Sequence, residues 1–273
     1  MPLPSRPRVV VTGAGSGLGR AFCEALATRG ARMVISDVNP STVEETRALL
    51  GGADVRVATC DVTKPDDVER LARIADDAFG GTDLVINNAG VAAGGRIGDV
   101  PLADWRWIVD VNLFGVIHGC HTFVPRFRAA GSGHVLNVAS VAGLVSMPNL
   151  APYHATKYAV VAISEALRAE VDGTGIGVTV LCPSFFKTNI ARNGRSSGEG
   201  TAEERKDIDR VMERTKVQAP QVADYALNAC DRGDLYALPH AEGRWAWRIK
   251  RVAPTFAATR LSALAQRAAR RSR

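Results

Sequence analysis

Short apolar runs alternate with amphipathic stretches through most of the chain. Arg8–Thr12 (RVVVT) is the first such run. Arg32–Ser36, Asp54–Thr59, Asp83–Asn87, His134–Ala139 and Gly177–Cys182 repeat it, and Leu235–Leu238 closes the series. Consecutive apolar, β-branched positions of this length predict strands buried on both faces. Between them apolar residues recur at three- and four-residue spacing, which predicts helices. These cover about Leu18–Thr28, ended by Gly30, and a stretch from Asn39-Pro40-Ser41 to Leu50. Further helices are expected over Pro65–Phe79, where Pro65 suits a first turn, then Leu102–Ala130, Tyr153–Val171 and Pro220–Arg232.

Strands separated by helices imply a parallel sheet covered on both sides, a single doubly wound α/β domain. The alternation breaks after Cys182. Phe185–Lys216 is polar, with Gly194, Gly198 and Gly200 and the charged run Glu203–Arg210. A long segment just past a strand is placed to cover a ligand, so residues 185–219 are read as a substrate lid; a surface insertion without that role would have the same composition. The domain is expected to span 1–243, with 244–273 as a basic helical extension.

Composition narrows the classes. The 273 residues are 46% apolar and 23% charged, ordinary globular usage that excludes a disordered or fibrous chain. No stretch is expected to span a membrane, and Met1–Arg8 lacks an apolar signal-peptide region, so the cytoplasm is the expected location. Five unclustered cysteines at 23, 60, 120, 182 and 230 read as reduced thiols. His118 and His121 lie three apart with no third ligand near in sequence, and no metal is expected. The net charge of +6 is uneven. Arg244–Arg273 holds nine Lys/Arg and no Asp/Glu, leaving 25 basic against 28 acidic residues elsewhere, so the body is not a nucleic-acid binder.

Two groups of residues carry chemistry. Thr12-Gly13-Ala14-Gly15-Ser16-Gly17-Leu18-Gly19 joins the first strand to the first helix. Glycines there let a pyrophosphate approach the backbone, and a helix N-terminus favours the anion. Asp37 ends the second strand, where a carboxylate can accept from ribose hydroxyls and would repel a 2′-phosphate. That favours NAD over NADP, unless Arg20 or another cation rescues the phosphate. Asp37 would equally serve as a turn residue before Asn39-Pro40. Tyr153 and Lys157 stand at i and i+4 on one helix face. A nearby ammonium is expected to lower the phenol's pKa, so that the tyrosine exchanges a proton with an alcohol or alkoxide oxygen, while Ser140 hydrogen-bonds that oxygen.

Over about residues 8–240 the chain resembles the short-chain dehydrogenase/reductase family. The resemblance rests on the Thr12–Gly19 turn, Asp61-Val62, Asn87-Asn88-Ala89-Gly90, Asn112, Ser140 and Tyr153-x-x-x-Lys157, in this order. It implies a Rossmann-type domain with a seven-stranded sheet in the order 3-2-1-4-5-6-7. It implies a catalytic set of Asn112, Ser140, Tyr153 and Lys157, with Lys157 also on the nicotinamide ribose and Asn112 holding a water of a proton relay. Cofactor contacts are implied for Gly13, Ser16, Gly17, Leu18, Gly19, Asp37, Asp61, Val62, Asn88, Ala89, Gly90, Tyr153, Lys157, Pro183 and Thr188. A homodimer or homotetramer, assembled through the helices of Asn112 and Tyr153, is implied as well. One position departs from the family pattern: Ser184 stands where Gly is usual, and because Gly takes dihedrals that Ser resists, an altered fit near the nicotinamide is expected without loss of hydride chemistry.

The expected reaction is NAD-dependent interconversion of a secondary alcohol and a ketone. An NADPH-dependent carbonyl reductase and a non-catalytic nucleotide-sensing scaffold are the alternatives. Val91–Arg96, Val141–Leu150, Phe185, Phe186 and Ile190 are candidates to face the substrate, with Ser140, Leu144, Tyr153, Phe185 and Phe186 as contacts; Val145, Met147 and Leu150 add to a largely apolar set. The C-terminal tail, with Trp245 and Trp247 before a basic amphipathic stretch over Pro254–Arg273, reads as a helix docked on its own domain or on a subunit, or as a weak peripheral contact with anionic membranes.

Overall fold

The computed structural model describes residues 2–187, 190, 194–196 and 215–260. Seven parallel strands form one sheet: β1 (Arg8–Thr12), β2 (Arg32–Asp37), β3 (Val55–Thr59), β4 (Leu84–Asn87), β5 (Gly133–Val138), β6 (Ile176–Leu181) and β7 (Tyr236–Ala237). Their order is β3-β2-β1-β4-β5-β6-β7, as expected. The helices are α1 (Gly17–Thr28), α2 (Pro40–Leu49), α3 (Pro65–Phe79), α4 (Leu102–Val109), α5 (Gly115–Ala130), α6 (Ala151–Glu170), α7 (Ala219–Arg232) and α8 (Ala241–Val252).

Alternation along β1 builds two cores at once. Val9 and Val11 enter one with Phe22, Leu26, Ile35 and Leu227; Val10 enters the other with Val34, Leu71, Phe123 and Phe127. This is the physical reason the strand runs are continuously apolar. At the amino end of the sheet, Arg8 grips Asp83 with two bonds of 2.9 and 2.5 Å and locks the start of β1 to that of β4. At the carboxyl end the chain order reverses between β1 and β4, where open α/β sheets hold ligands.

Three expectations change. The long helix over Leu102–Ala130 is interrupted at Asp110–Phe114 by a π turn, in which Gly115 N–H reaches Asp110 O. That run is also, at 29 residues and with a mean hydropathy of 1.2 over an 18-residue window, long and apolar enough by length and composition to cross a membrane, whereas no such stretch is expected from sequence. Its Ile108, Val116, Phe123 and Phe127 are buried in the domain instead. Finally, α8 runs through the expected boundary at 243/244, so the basic extension begins inside a helix docked on the sheet domain. The tail residues 261–273 and most of the expected lid lie outside the described residues.

α5 approaches β4 closely. A Cβ on Gly119 would lie 1.9 Å from Asn87 Oδ1, and Asn87 is itself held by Asn137 at 2.8 Å. Gly119→Ala is therefore expected to cost about 1–3 kcal/mol by overpacking, read as a lower midpoint in urea unfolding.

Candidate active site

A cleft of about 690 Å³ opens at the carboxyl end of the sheet. Its polar half is built on the turn between β1 and α1. Gly13 has φ +66, and a Cβ there would meet Ala89 Cα at 2.7 Å, so glycine is required where the two carboxyl-end loops touch. Asn88 ties these loops by donating its amide to Thr12 O (2.9 Å) and Gly13 O (3.1 Å). The Thr12 hydroxyl accepts from the N–H groups of Asn88 and Ala89. Asn88 is thus a clamp that shapes the turn, alongside its place in the cleft lining.

Asp37 reaches the cleft from β2 and accepts from Gly15 N–H and Asn39 N–H, both at 3.0 Å. Arg20 turns elsewhere: it donates to Gly15 O at 2.7 Å, Thr46 Oγ1 at 3.0 Å and Glu45 at 3.2 Å. Asp61 closes a turn on Thr63, and the Val62 carbonyl is held by His118 Nδ1 at 2.8 Å. His118 therefore has a structural partner. Gly13, Ser16, Gly17, Leu18, Gly19, Asp37, Asp61, Val62, Asn88, Ala89, Gly90 and Pro183 all line the cleft. Thr188 lies outside the described residues.

Where the polar and apolar halves meet, Tyr153 and Ser140 both line the cleft, and the Ser140 hydroxyl donates to Pro183 O at 3.4 Å and accepts from Ala142 N–H at 3.1 Å. Burial pushes the Tyr153 phenol up to about 12, opposed by the neighbouring Ser140 hydroxyl. Lys157 lies one turn on, buried, with Nζ donating to Val138 O at 2.9 Å and 5.7 Å from the Tyr153 ring centre. Burial brings its ammonium down to about 8. The expected lowering of the tyrosine's pKa by Lys157 is not seen in this arrangement, where burial raises the phenol and the ammonium is turned to the Val138 carbonyl.

Asn112 sits in the π turn, fully buried. Its Oδ1 accepts from Val91 N–H at 2.8 Å, and its Nδ2 donates to Val91 O (2.9 Å) and Thr156 Oγ1 (3.3 Å). The side chain is committed to backbone and Thr156, so it positions the loop after β4 rather than facing the cleft. Two histidines missed in sequence hold the remaining loops. His154 accepts from Met147 N–H and bonds Ala142 O, pinning the segment after β5 to α6. His240 accepts from Ser184 N–H at 3.1 Å, contacts Val217 O and stacks on Phe186. Ser184 is not strained: among the described residues Asn149 is the non-glycine with positive φ.

The apolar half contains Val91, Ala92, Val141, Met147, Leu150, Phe185, Phe186 and Ile190, with Trp107 in addition. Leu144 does not belong to it. The short helix Val141–Gly143 turns Leu144 into the core with Val145, Val116 and Val160, and both leave the list of substrate-facing residues. Trp107 was not foreseen because α4 is distant in sequence from the other lining residues. Arg195 lies over its ring at 4.1 Å and bonds Asp104 at 2.9 Å, while Ala93–Gly94 pairs with Arg195–Ser196.

Comparison with known proteins places these features. Residues 7–198 match the family model for short chain dehydrogenases. The chain is 35% identical over 254 residues to a probable oxidoreductase, EphD, of Mycobacterium tuberculosis, covering 90% of this chain and 43% of that protein; it thus spans less than half the length of this relative. Among solved structures, a short chain dehydrogenase/reductase from Burkholderia phymatum in complex with NAD superposes with a TM-score of 0.84 at 35% identity, over 90% of this chain and 93% of that one. A short-chain dehydrogenase from Sphingobium yanoikuyae in complex with NADPH gives 0.74 at 27% identity, over 88% and 90%.

The buried lysine makes stability depend on pH. Across pH 8–10.5 the folded Lys157 has lost its proton while the unfolded one keeps it, so the parent protein gains stability as pH rises through this window. Lys157→Met is expected to be the more stable at pH 7, with the gap closing by on the order of 2–3 kcal/mol over that window in a pH series of thermal melts.

Proposed function

Because this chain belongs to the short-chain dehydrogenase family of oxidoreductases, we propose that it interconverts a secondary alcohol and a ketone with NAD(H), on an apolar substrate. The observation that carries the reading is the meeting of Ser140, Tyr153 and the buried Lys157 at the junction of a polar and an apolar half of one cleft.

The polar half fits a dinucleotide. The first turn of α1 offers N–H groups to a pyrophosphate, and Asp37, Asp61 and Val62 line the far end for ribose and adenine. When bound, NAD would supply the hydride acceptor. The Tyr153 hydroxyl exchanges the proton: held neutral, it donates to a carbonyl oxygen in reduction, and as phenolate it takes the hydroxyl proton in oxidation. Ser140 orients the same oxygen. Lys157 contributes positive charge beside the nicotinamide end, and Asn112 keeps the Val91 loop in place behind it. Apolar walls at Val141, Met147, Leu150 and Trp107 favour a hydrocarbon-rich substrate over a sugar or phosphate ester.

Asp37 supports NAD over NADP, since a 2′-phosphate would face its carboxylate while Arg20 is held by Gly15, Thr46 and Glu45. Five free cysteines support a reducing compartment, and we read the protein as cytoplasmic. A homodimer or homotetramer acting on a small alcohol or ketone completes the reading.

The test is NADH formation across secondary alcohols from short aliphatic to polycyclic. Tyr153→Phe is expected to lower kcat by about 10²–10⁴-fold with dinucleotide affinity unchanged, and alcohol oxidation by the parent to rise with pH as the raised phenol ionises. Persistent turnover in Tyr153→Phe would remove the tyrosine from the mechanism. Asp37→Ser is expected to raise the kcat/KM ratio of NADP to NAD by about 10–100-fold, because removing the carboxylate lifts a like-charge cost of about 1–3 kcal/mol; a parent that already prefers NADP would refute this reading of Asp37.

A further inference from the structure

α8 has two unlike faces. The inner face is docked. Trp247 packs on Tyr236 with ring centres 4.7 Å apart, and Lys250 donates to Leu144 O at 2.8 Å and to the Tyr158 hydroxyl. A Cβ on Gly243 would lie 3.4 Å from Val141 Cγ2, so the first turn of α8 abuts a residue of the apolar cleft.

The outer face carries Trp245, Ile249 and Val252, four and three residues apart and therefore aligned on one side of the helix. They are 63%, 44% and 87% exposed, and Phe256, in the helical residues after Ala253, is 53% exposed. Four of the nine large exposed apolar side chains among the described residues thus sit in one short stretch. Single exposed apolar residues are ordinary, whereas a contiguous set marks an interaction surface.

The charge around this stripe selects the partner. Arg248 lies over the Trp245 ring at 5.5 Å, and Arg260 over Phe256 at 5.2 Å. From Arg244 to Arg260 the sequence has five Lys/Arg and no Asp/Glu. A second copy of the chain would bring these cations face to face, which opposes self-association here. A nucleic acid would suit the cations but leave Ile249 and Val252 in water.

We propose that this face docks on an anionic lipid bilayer. Trp245, Ile249, Val252 and Phe256 enter the headgroup boundary, and the flanking arginines meet lipid phosphates. Docking sets α8 against the bilayer beside the cleft's apolar end, so a lipid-dissolved alcohol or ketone is the substrate source it suits. That last clause rests on the proposed activity; docking itself does not.

The test is co-sedimentation of the full chain with vesicles, without cofactor or substrate. Partition onto vesicles of equal phosphatidylglycerol and phosphatidylcholine is expected to exceed that onto pure phosphatidylcholine by at least about tenfold and to weaken with added salt. The double variant Trp245→Ser, Val252→Ser is expected to lose about tenfold of this binding while its thermal melt and dinucleotide affinity stay those of the parent. Arg248→Gln with Arg251→Gln should flatten the salt dependence. Equal partition onto the two vesicles, or no loss in the double serine variant, overturns the proposal. So does a parent that ignores vesicles and is a dimer that the serine variant splits in sedimentation velocity, since the face then belongs to a subunit interface.

Discussion

A buried ammonium must have a partner, and much of the cleft is arranged around the one at Lys157. Its Nζ finds the Val138 carbonyl at the end of β5, and Gly90 and Asn112 close the space beside it. Removing such a charge from water is costly, which is why its ammonium is pushed down to about 8 and not left at the ordinary lysine value. The neighbouring devices follow from that constraint. Asn112 holds the Val91 loop, Asn88 holds the glycine turn to the loop after β4, and His154 holds the segment after β5 to the helix that carries both Tyr153 and Lys157. None of these three side chains needs to touch a ligand to matter.

The two halves of the cleft are supported differently. The polar half hangs on backbone groups at the ends of β1, β2 and β4, which the sheet ladder fixes. The apolar half is made of side chains from α4, the segments after β5 and β6, and the short Ala93–Gly94 ladder. A rigid cofactor side beside a wall of exchangeable side chains is how one fold serves many substrates.

Most of the sheet was legible in sequence because its strands are buried on both faces, so their apolar runs are unbroken. Tyr153 and Lys157 were legible because helical spacing alone puts them together, and the glycine turn because it lies between a strand and a helix. Other features left no local trace. A π turn shifts backbone hydrogen bonds without altering apolar periodicity, so Leu102–Ala130 read as one helix. Leu144 and Met147 are equally apolar, and only the turn at Val141–Gly143 sends one inward and the other to the cleft. His154 and His240 act through contacts with loops that spacing cannot reveal. The Ser184 N–H is satisfied by a histidine 56 residues away, a contact that spacing does not reveal either.

The π turn at Asp110–Phe114 amounts to one residue more than a regular helix would hold over the same length. A single-residue deletion there would heal the hydrogen-bond ladder and leave α5 on its present face, because the wide turn holds its extra residue locally. Only the residues of the turn would move, and Asn112 would lose its bonds to Val91. The extra residue therefore serves the loop after β4 and not the packing of α5. A shorter, more regular helix would make a worse protein.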